Sequence, residues 1–491
     1  MVLNFKAHLS EMPARGLSPT DAYLRIVKKY GRKYSFFLES IFDEESTILA
    51  KRFSRLSIIP CEPILTIMSK NGRCFLEGKF ARIISEEIVR TGTFEYDNGF
   101  LLDGKDPLHF LNSVVGMLGA ETGLSRFSFG PIGYISYDVV RYLEKLPDRL
   151  PDTLNLPEMY FVLHKNAIVF DHASNRVLYV VHAYEDEDAF VGDLVELANN
   201  GEKAELGEDA RETCEIKSNT TKAEFIKMVL KAKEYLRSGD IFQVVLSRRV
   251  GIKTRRDPIR IYFDLRKINP SPYMFYLDFG DFQLIGASPE VHVRVEKGLI
   301  EMRPIAGTRG RGRTESEERE LEEELLKSEK ERAEHTMLVD LCRNDIGRVA
   351  EFGSVKEPEL FTVEKYSHVQ HLVSHITGNL RANKNAFDVF RATFPSGTVS
   401  GAPKVRAMEI IEELEKERRG PYAGVVGYFD VKGNSDMCIT IRTLIMKDGI
   451  AYAQAGAGIV YDSEPEAEWV ETRKKLNACV KAVTGKEMDE S

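Results

Sequence analysis

The chain has 491 residues, 43% hydrophobic and 29% charged, a balance that belongs to folded globular proteins and excludes wholesale disorder. A formal net charge of −8 speaks against nucleic acid or an anionic membrane as the main partner, so an anionic substrate must be met by local cations, backbone N–H groups or a metal. No secretory pattern follows Met1, no run of about 18 apolar residues occurs, and the six scattered cysteines form no C-x-x-C pair, which together suit a cytoplasmic protein.

A chain this long predicts two domains. Ser18 is placed to cap a helix over Pro19–Lys29. Ala167–Val181 carries the β-branched and aromatic pattern of strands. Ala198–Thr213 is short of large apolar residues and rich in charge, so it reads as a linker. The division is therefore an N-terminal domain over 1–200, a linker over 201–218 and a C-terminal domain over 219–491. Beyond it, Phe225, Met228, Val229 and Leu236 recur at helical spacing in Thr221–Ser238, which Gly239 closes. Ile241–Val250 predicts a strand, and Ser316–Leu341 one long helix. Pro403 stands where it can open a helix to about Lys416. Met437–Met446 predicts one strand and Ser463–Val483 a terminal helix with Ser463 and Glu466 as a capping box. Strands and helices mix without regular βαβ alternation, which favours α+β or irregular α/β; no G-x-G-x-x-G or P-loop supports a nucleotide fold.

Two helices present carboxylates three residues apart: Glu331 and Glu334 on one, Glu468 and Glu471 on the other. Residues so spaced share a helix face, and a hard cation such as Mg²⁺ takes one or two carboxylates plus water and substrate oxygens. Glutamate-rich faces are more often simply solvated. Three glycine-bearing loops, Pro304–Gly312, Phe394–Pro403 and Ala455–Gly458, can approach an anion closely, and the second leads straight into a helix. Each taken singly is more often a plain turn. Arg442 on its strand can clamp a carboxylate or form a surface ion pair. His368–His375 holds three histidines, either a cluster or an extended segment in which His371 alone acts in positioning or acid–base chemistry.

In this order the segments resemble the chorismate-utilising enzymes, most closely the large subunits (component I) of anthranilate synthases. The likeness is carried by DIFQVVLSRR from Asp240, NPSPYMFYL from Asn269, GASPE from Gly286 and RPIAGTRGRG from Arg303. It continues in ERAEHTMLVDLCRNDIGRV from Glu331, FPSGTVSGAPKVRAMEII from Phe394 and QAGAGIVYDSEPEAEWVETRKK from Gln454. The resemblance implies two domains with packed antiparallel sheets surrounded by helices, the active site lying in the C-terminal one. It implies Glu334 and Glu471 as Mg²⁺ ligands with Glu331 and Glu468 behind them. Chorismate would be held by Gly307, Thr308, Tyr422, Arg442, Gly456, Ala457, Gly458 and Lys475. Glu290 would be the general acid, with His371 and Thr398 lining the same site. It also implies a glutamine amidotransferase subunit that supplies ammonia. Leu38, Glu39 and Ser40, with Pro272, Tyr273 and Met274, resemble a pocket for inhibiting tryptophan.

Relatives that activate water carry a lysine where this chain has Gln243, and aminodeoxychorismate synthases carry a nucleophilic lysine where it has Ala306. A methyl group cannot attack, so the resemblance favours direct amination. The rival readings are an aminodeoxychorismate synthase component I and a silent subunit that only binds chorismate or tryptophan.

Overall fold

The computed structural model describes residues 3–41, 55–121, 129–185, 187, 190–207, 209, 215–365 and 369–488. Its spine is an antiparallel pair, Leu56–Lys70 with Met159–Asp171. Hydrogen-bonded pairing leaves this spine in two directions. Through Ile132–Ile135 it passes to Val425–Phe429, Ser435–Ile439, Val291–Glu296, Leu299–Met302 and Val369–Asn379. Through Phe36–Glu39 it passes to Tyr273–Asp278, Phe282–Ser288, Thr443–Lys447, Ile450–Ile459 and Gln243–Lys253. Strands from the first 200 residues thus join strands of the C-terminal half edge to edge at two places.

The two arms enclose an apolar core that includes Phe36, Ile58, Tyr134, Phe275, Leu284, Val426 and Ile445. Gly286 shows how tightly they close: a Cβ there would lie 2.0 Å from the Phe275 ring. Truncating Phe275 to alanine would open a cavity at this joint and cost about 3–5 kcal/mol. Helices cover the outer faces. Ala81–Thr91, Pro107–Met117 and Glu329–Gly347 pack on the first arm, and Pro19–Tyr30, Pro258–Ile268 and Pro465–Thr484 on the second. The fold is the mixed, antiparallel α+β arrangement that the sequence predicts.

Several expected elements form with their expected signals. Ser18 caps Pro19–Tyr30, and Thr221 caps Lys222–Ser238 in a capping box that Gly239 closes in the left-handed region. Others differ. Ser316–Leu341 is two helices, Glu315–Lys327 and Glu329–Gly347, because Ser328 turns extended (ψ 110°) and caps the second by accepting from the Glu331 N–H. The terminal helix begins at Pro465 with no side-chain cap, since Ser463 Oγ accepts from the Val460 N–H instead of forming a box with Glu466. Pro403 precedes the helix Lys404–Leu414 without entering it. Ala167–Val181 spans the turn of a hairpin between Met159–Asp171 and Arg176–Tyr184. The helix Val191–Asn200 runs through Ala198, so the charged stretch from Ala198 opens within a helix. His371 and His375 lie on the strand Val369–Asn379, so the extended alternative holds there, while His368 lies outside the described residues.

Met437–Met446 is the most consequential difference. Ser435–Ile439 pairs with Val425–Phe429 in one arm, whereas Thr443–Lys447 pairs with Phe282–Ser288 in the other. The chain must therefore cross between sheets over Thr440–Arg442, and Arg442 takes the left-handed φ of 52°. For a non-glycine residue that conformation is strained, and it persists only where its surroundings over-determine it.

Candidate active site

Beside the Arg442 crossover opens a cavity of about 1060 Å³, lined by residues from both ends of the C-terminal half. Phe282–Ser288 ends in Pro289–Glu290 before the chain re-enters the first arm at Val291. Glu290 is anchored through its backbone: its carbonyl accepts from the Ile439 N–H at 3.0 Å and its N–H donates to Ser288 Oγ at 3.4 Å. Its buried carboxyl group faces the cavity, and burial pushes its pKa up to about 8 against the pull of the Thr398 hydroxyl, Arg442 and Lys475. A carboxyl group held neutral near pH 7 can donate a proton in a transition state. Burial lowers the Arg442 pKa, with Tyr422, Glu471 and Glu290 opposing that effect.

His371 also lines the cavity, and burial lowers its pKa to about 4, so the ring is neutral; its Nδ1 lies 3.2 Å from the Gly307 carbonyl, which it meets as donor. Gly307 bulges out between Ala306 and Thr308 with φ 67°, and a Cβ there would sit 2.9 Å from Glu331 Oε2. Ala306 and Gly307 line the cavity; Thr308 pairs through its backbone with His371. On Ile450–Ile459, Gly456 and Gly458 face the cavity, where a Cβ would come 3.0 Å from Tyr422 Oη and 2.6 Å from Gln243 Nε2 respectively. Ala457 points the other way, its methyl buried in an apolar cluster with Leu246 and Ile410, so only its backbone is near the site. Of the loop Phe394–Pro403, Thr398 and Val399 reach the cavity, whereas the helix N-terminus after Pro403 does not.

All four carboxylates, on the helices Glu329–Gly347 and Pro465–Thr484, line the same cavity. Burial, with repulsion from Glu331 and Glu471, raises the Glu334 pKa, and burial raises that of Glu468. Glu334 accepts from Gln243 Nε2 at 2.8 Å, Glu331 pairs with Arg309 at 3.1 Å and Glu471 with Lys475 at 2.5 Å. Lys475 Nζ also donates to the Gly456 carbonyl at 3.0 Å. Among the described residues no three potential ligands already surround one point. The donor set is all oxygen and mutually repelling, which fits a hard divalent cation completed by water and substrate oxygens. Sequence reading missed the bond from Gln243 to Glu334, because nothing local to either segment brings a strand start against a distant helix.

A second cavity, of about 60 Å³, lies at the joint between the arms. Leu38, Ser40, Tyr273 and Met274 line it, together with Arg294 and Asp436, which sequence reading did not single out; Pro272 is not among its lining residues. Glu39 lines it too, but its carboxylate is held by Arg266 at 2.6 and 2.7 Å and by the Tyr262 hydroxyl at 3.0 Å. Asp436 accepts from Tyr273 Oη and Arg294 Nε, both at 2.9 Å.

Comparison with known proteins gives a consistent picture. The chain is 44% identical over 473 residues to anthranilate synthase component 1 of Acetivibrio thermocellus, covering 91% of this chain and 90% of that one. It is 49% identical over 392 residues to the protein of that name from Aquifex aeolicus, covering 77% and 79%. The crystal structure of anthranilate synthase component I from Streptococcus pneumoniae superposes with a TM-score of 0.74 at 36% identity, covering 87% of this chain and 92% of that one. The menaquinone-specific isochorismate synthase of Escherichia coli shares the fold alone, at a TM-score of 0.69 and 16% identity over 98% and 96% of the two chains. The model of the chorismate binding enzymes matches residues 77–481, and the chain belongs to that family.

Proposed function

We propose that this protein converts chorismate and ammonia into anthranilate and pyruvate, the committing step toward tryptophan, as the large subunit of an anthranilate synthase. The observation that carries the reading is the pairing of a neutral, buried Glu290 with Ala306 in one cavity: an acid poised to donate, and no side-chain nucleophile where a covalent relative would have one. Arg442 binds a chorismate carboxylate through its planar fork, its position fixed by the sheet crossover. Tyr422, Lys475 and the bare backbone at Gly307, Gly456 and Gly458 complete the cradle, with Thr308 and Ala457 contributing backbone beside it. Glu290 protonates the departing C4 hydroxyl, which leaves as water, while ammonia bonds to C2. His371, neutral and tied to Gly307, and Thr398, beside Glu290, keep these groups oriented. The C2 proton is then lost as the C3–O bond breaks, the released enolpyruvate takes up a proton to become pyruvate, and the ring becomes aromatic.

Glu334 and Glu471, with Glu331 and Glu468 behind them, would hold Mg²⁺, which supplies positive charge for the substrate carboxylate. Ammonia comes from a glutamine amidotransferase subunit. Residues 219–491 act as the catalytic domain and 1–200 as the regulatory one, joined by 201–218. The small cavity beside Leu38, Ser40, Tyr273 and Met274 takes L-tryptophan as inhibitor. Val291–Glu296, which follows Glu290 directly and carries Arg294, and Ser435–Ile439, which ends three residues before Arg442 and carries Asp436, run between the two cavities and support a coupling between them. Among the described residues the five cysteines are buried and form no disulfide, which supports the cytoplasm as its location.

The test is turnover by the purified chain with chorismate, ammonium and Mg²⁺ at alkaline pH, with products identified by mass. Anthranilate with equimolar pyruvate, abolished by a chelator, is the expected result. An aminated product that keeps its enolpyruvyl group would reassign the chain to aminodeoxychorismate synthesis, and chorismate binding without turnover would make it a silent subunit.

A further inference from the structure

The strand Gln243–Lys253 touches both helices that carry the cavity's carboxylates. Gln243, at its start, donates to Glu334. Arg248, five residues on, reaches the terminal helix. Its guanidinium is wholly buried and lies 3.8 Å over the ring of Trp469. Its Nε donates to Thr472 Oγ1 at 2.9 Å, and that hydroxyl donates in turn to the Trp469 carbonyl at 2.8 Å. Among the described residues Nη1 reaches only Ser218 Oγ, at 3.5 Å, and Nη2 donates to no side chain or backbone. No carboxylate among the described residues pairs with Arg248, and burial, reinforced by Arg473, lowers its pKa to about 10. Burying a cation without a counter-ion opposes folding, so its place here calls for a compensating role.

Glu468 and Glu471 directly precede Trp469 and Thr472. On a helix these pairs form adjacent faces of one turn: the acids look into the cavity, while Trp469 and Thr472 look toward Arg248. A planar cation stacked on one residue and hydrogen-bonded to another three positions on fixes the rotation of that turn about its axis. Rotation by some 10–20° would carry a carboxylate on the order of 1 Å, enough to spoil a metal site.

We propose that Arg248 is a positioning residue for the metal: through Trp469 and Thr472 it sets the rotation at which Glu468 and Glu471 face the cavity, while Gln243 on the same strand sets Glu334. This rests on the divalent-cation reading above. Trp469 is the only tryptophan in the chain, so its fluorescence reports on the turn itself. The experiment titrates Mg²⁺ into the full-length protein with chorismate present and ammonium absent, following Trp469 fluorescence and heat of binding. Thr472→Val should weaken half-saturation by Mg²⁺ about 10-fold or more, as loss of an outer-shell contact does, and Thr472→Ser should restore it. Arg248→Lys, which keeps the charge but loses the plane, should weaken it likewise; if that variant does not fold, the Thr472 pair decides. Wild-type Mg²⁺ affinity in Thr472→Val with only a lower melting temperature would overturn the inference and make Arg248 a packing residue. A wild-type protein with no saturable Mg²⁺ response, unaltered by Glu471→Gln, would overturn the cation reading and this inference together.

Discussion

Glu290→Gln separates the acid's chemistry from its effect on stability. Burial raises the carboxyl pKa from the ordinary 4.5 to about 8, so the folded protein keeps a proton through a pH window in which the unfolded chain has released it. Stability is therefore full below about pH 4.5 and is lost as pH rises through about 8. At about 1.4 kcal/mol per pH unit this gap amounts to roughly 5 kcal/mol, an order-of-magnitude figure. Glutamine has nearly the same shape and cannot ionise. The variant should melt close to wild type at pH 5 and several degrees higher at pH 9, in scanning calorimetry without substrate. Catalysis should move the opposite way: loss of the proton donor removes about 10²–10⁴ from kcat, roughly 3–5 kcal/mol of barrier. The wild-type rate should fall tenfold per pH unit above about 8, a limb that the variant lacks. An equal melting difference at pH 5 and pH 9, or wild-type kcat in the variant, would refute the reasoning that Glu290 is a buried neutral acid.

Arg442→Lys replaces a planar fork by a point charge, and chorismate KM should rise about 10- to 100-fold in steady-state assays, the loss expected of one charge-assisted bond. Gly458→Ala would place a Cβ 2.6 Å from Gln243 Nε2, displacing the amide from Glu334, so the Mg²⁺ requirement measured by activity should rise while the far-UV circular dichroism is unchanged. Ser40→Phe fills the cavity of about 60 Å³ at the joint between the arms, and inhibition by L-tryptophan should weaken more than 10-fold with uninhibited kcat kept.

What could be read from the chain alone was what local chemistry specifies. Ser18, Thr221 and Gly239 mark helix ends because caps depend only on near neighbours, and these ends form as expected. The candidate site residues were legible in two ways: residue chemistry singled out the paired carboxylates, the glycine loops, Arg442 and His371, and the family resemblance added Glu290, Thr398, Tyr422 and Lys475. With the exception of Ala457 and Thr308, the residues listed for substrate, metal and proton chemistry line one cavity. Their relative placement was not legible. Met437–Met446 has the alternation of a single strand, yet it is divided between two sheets, and only the pairing of those sheets puts Arg442 into the left-handed region facing Glu290. Ser463 and Glu466 carry a capping-box pattern, but Pro465 starts the helix and leaves Ser463 to bond backward to Val460. Glu39 belongs to the same short segment as Leu38 and Ser40, but strand alternation sends its carboxylate to Arg266 and Tyr262 on the other face.

The sequence, with its family resemblance, determined which acids, which cation and which glycines are the candidates for the site. The tertiary structure alone decided the environment that makes them work. A pKa of about 8 for Glu290, the strained turn at Arg442 and the grip of Gln243 and Arg248 on the carboxylate helices arise from burial and from contacts between segments far apart in the chain, which no local pattern encodes.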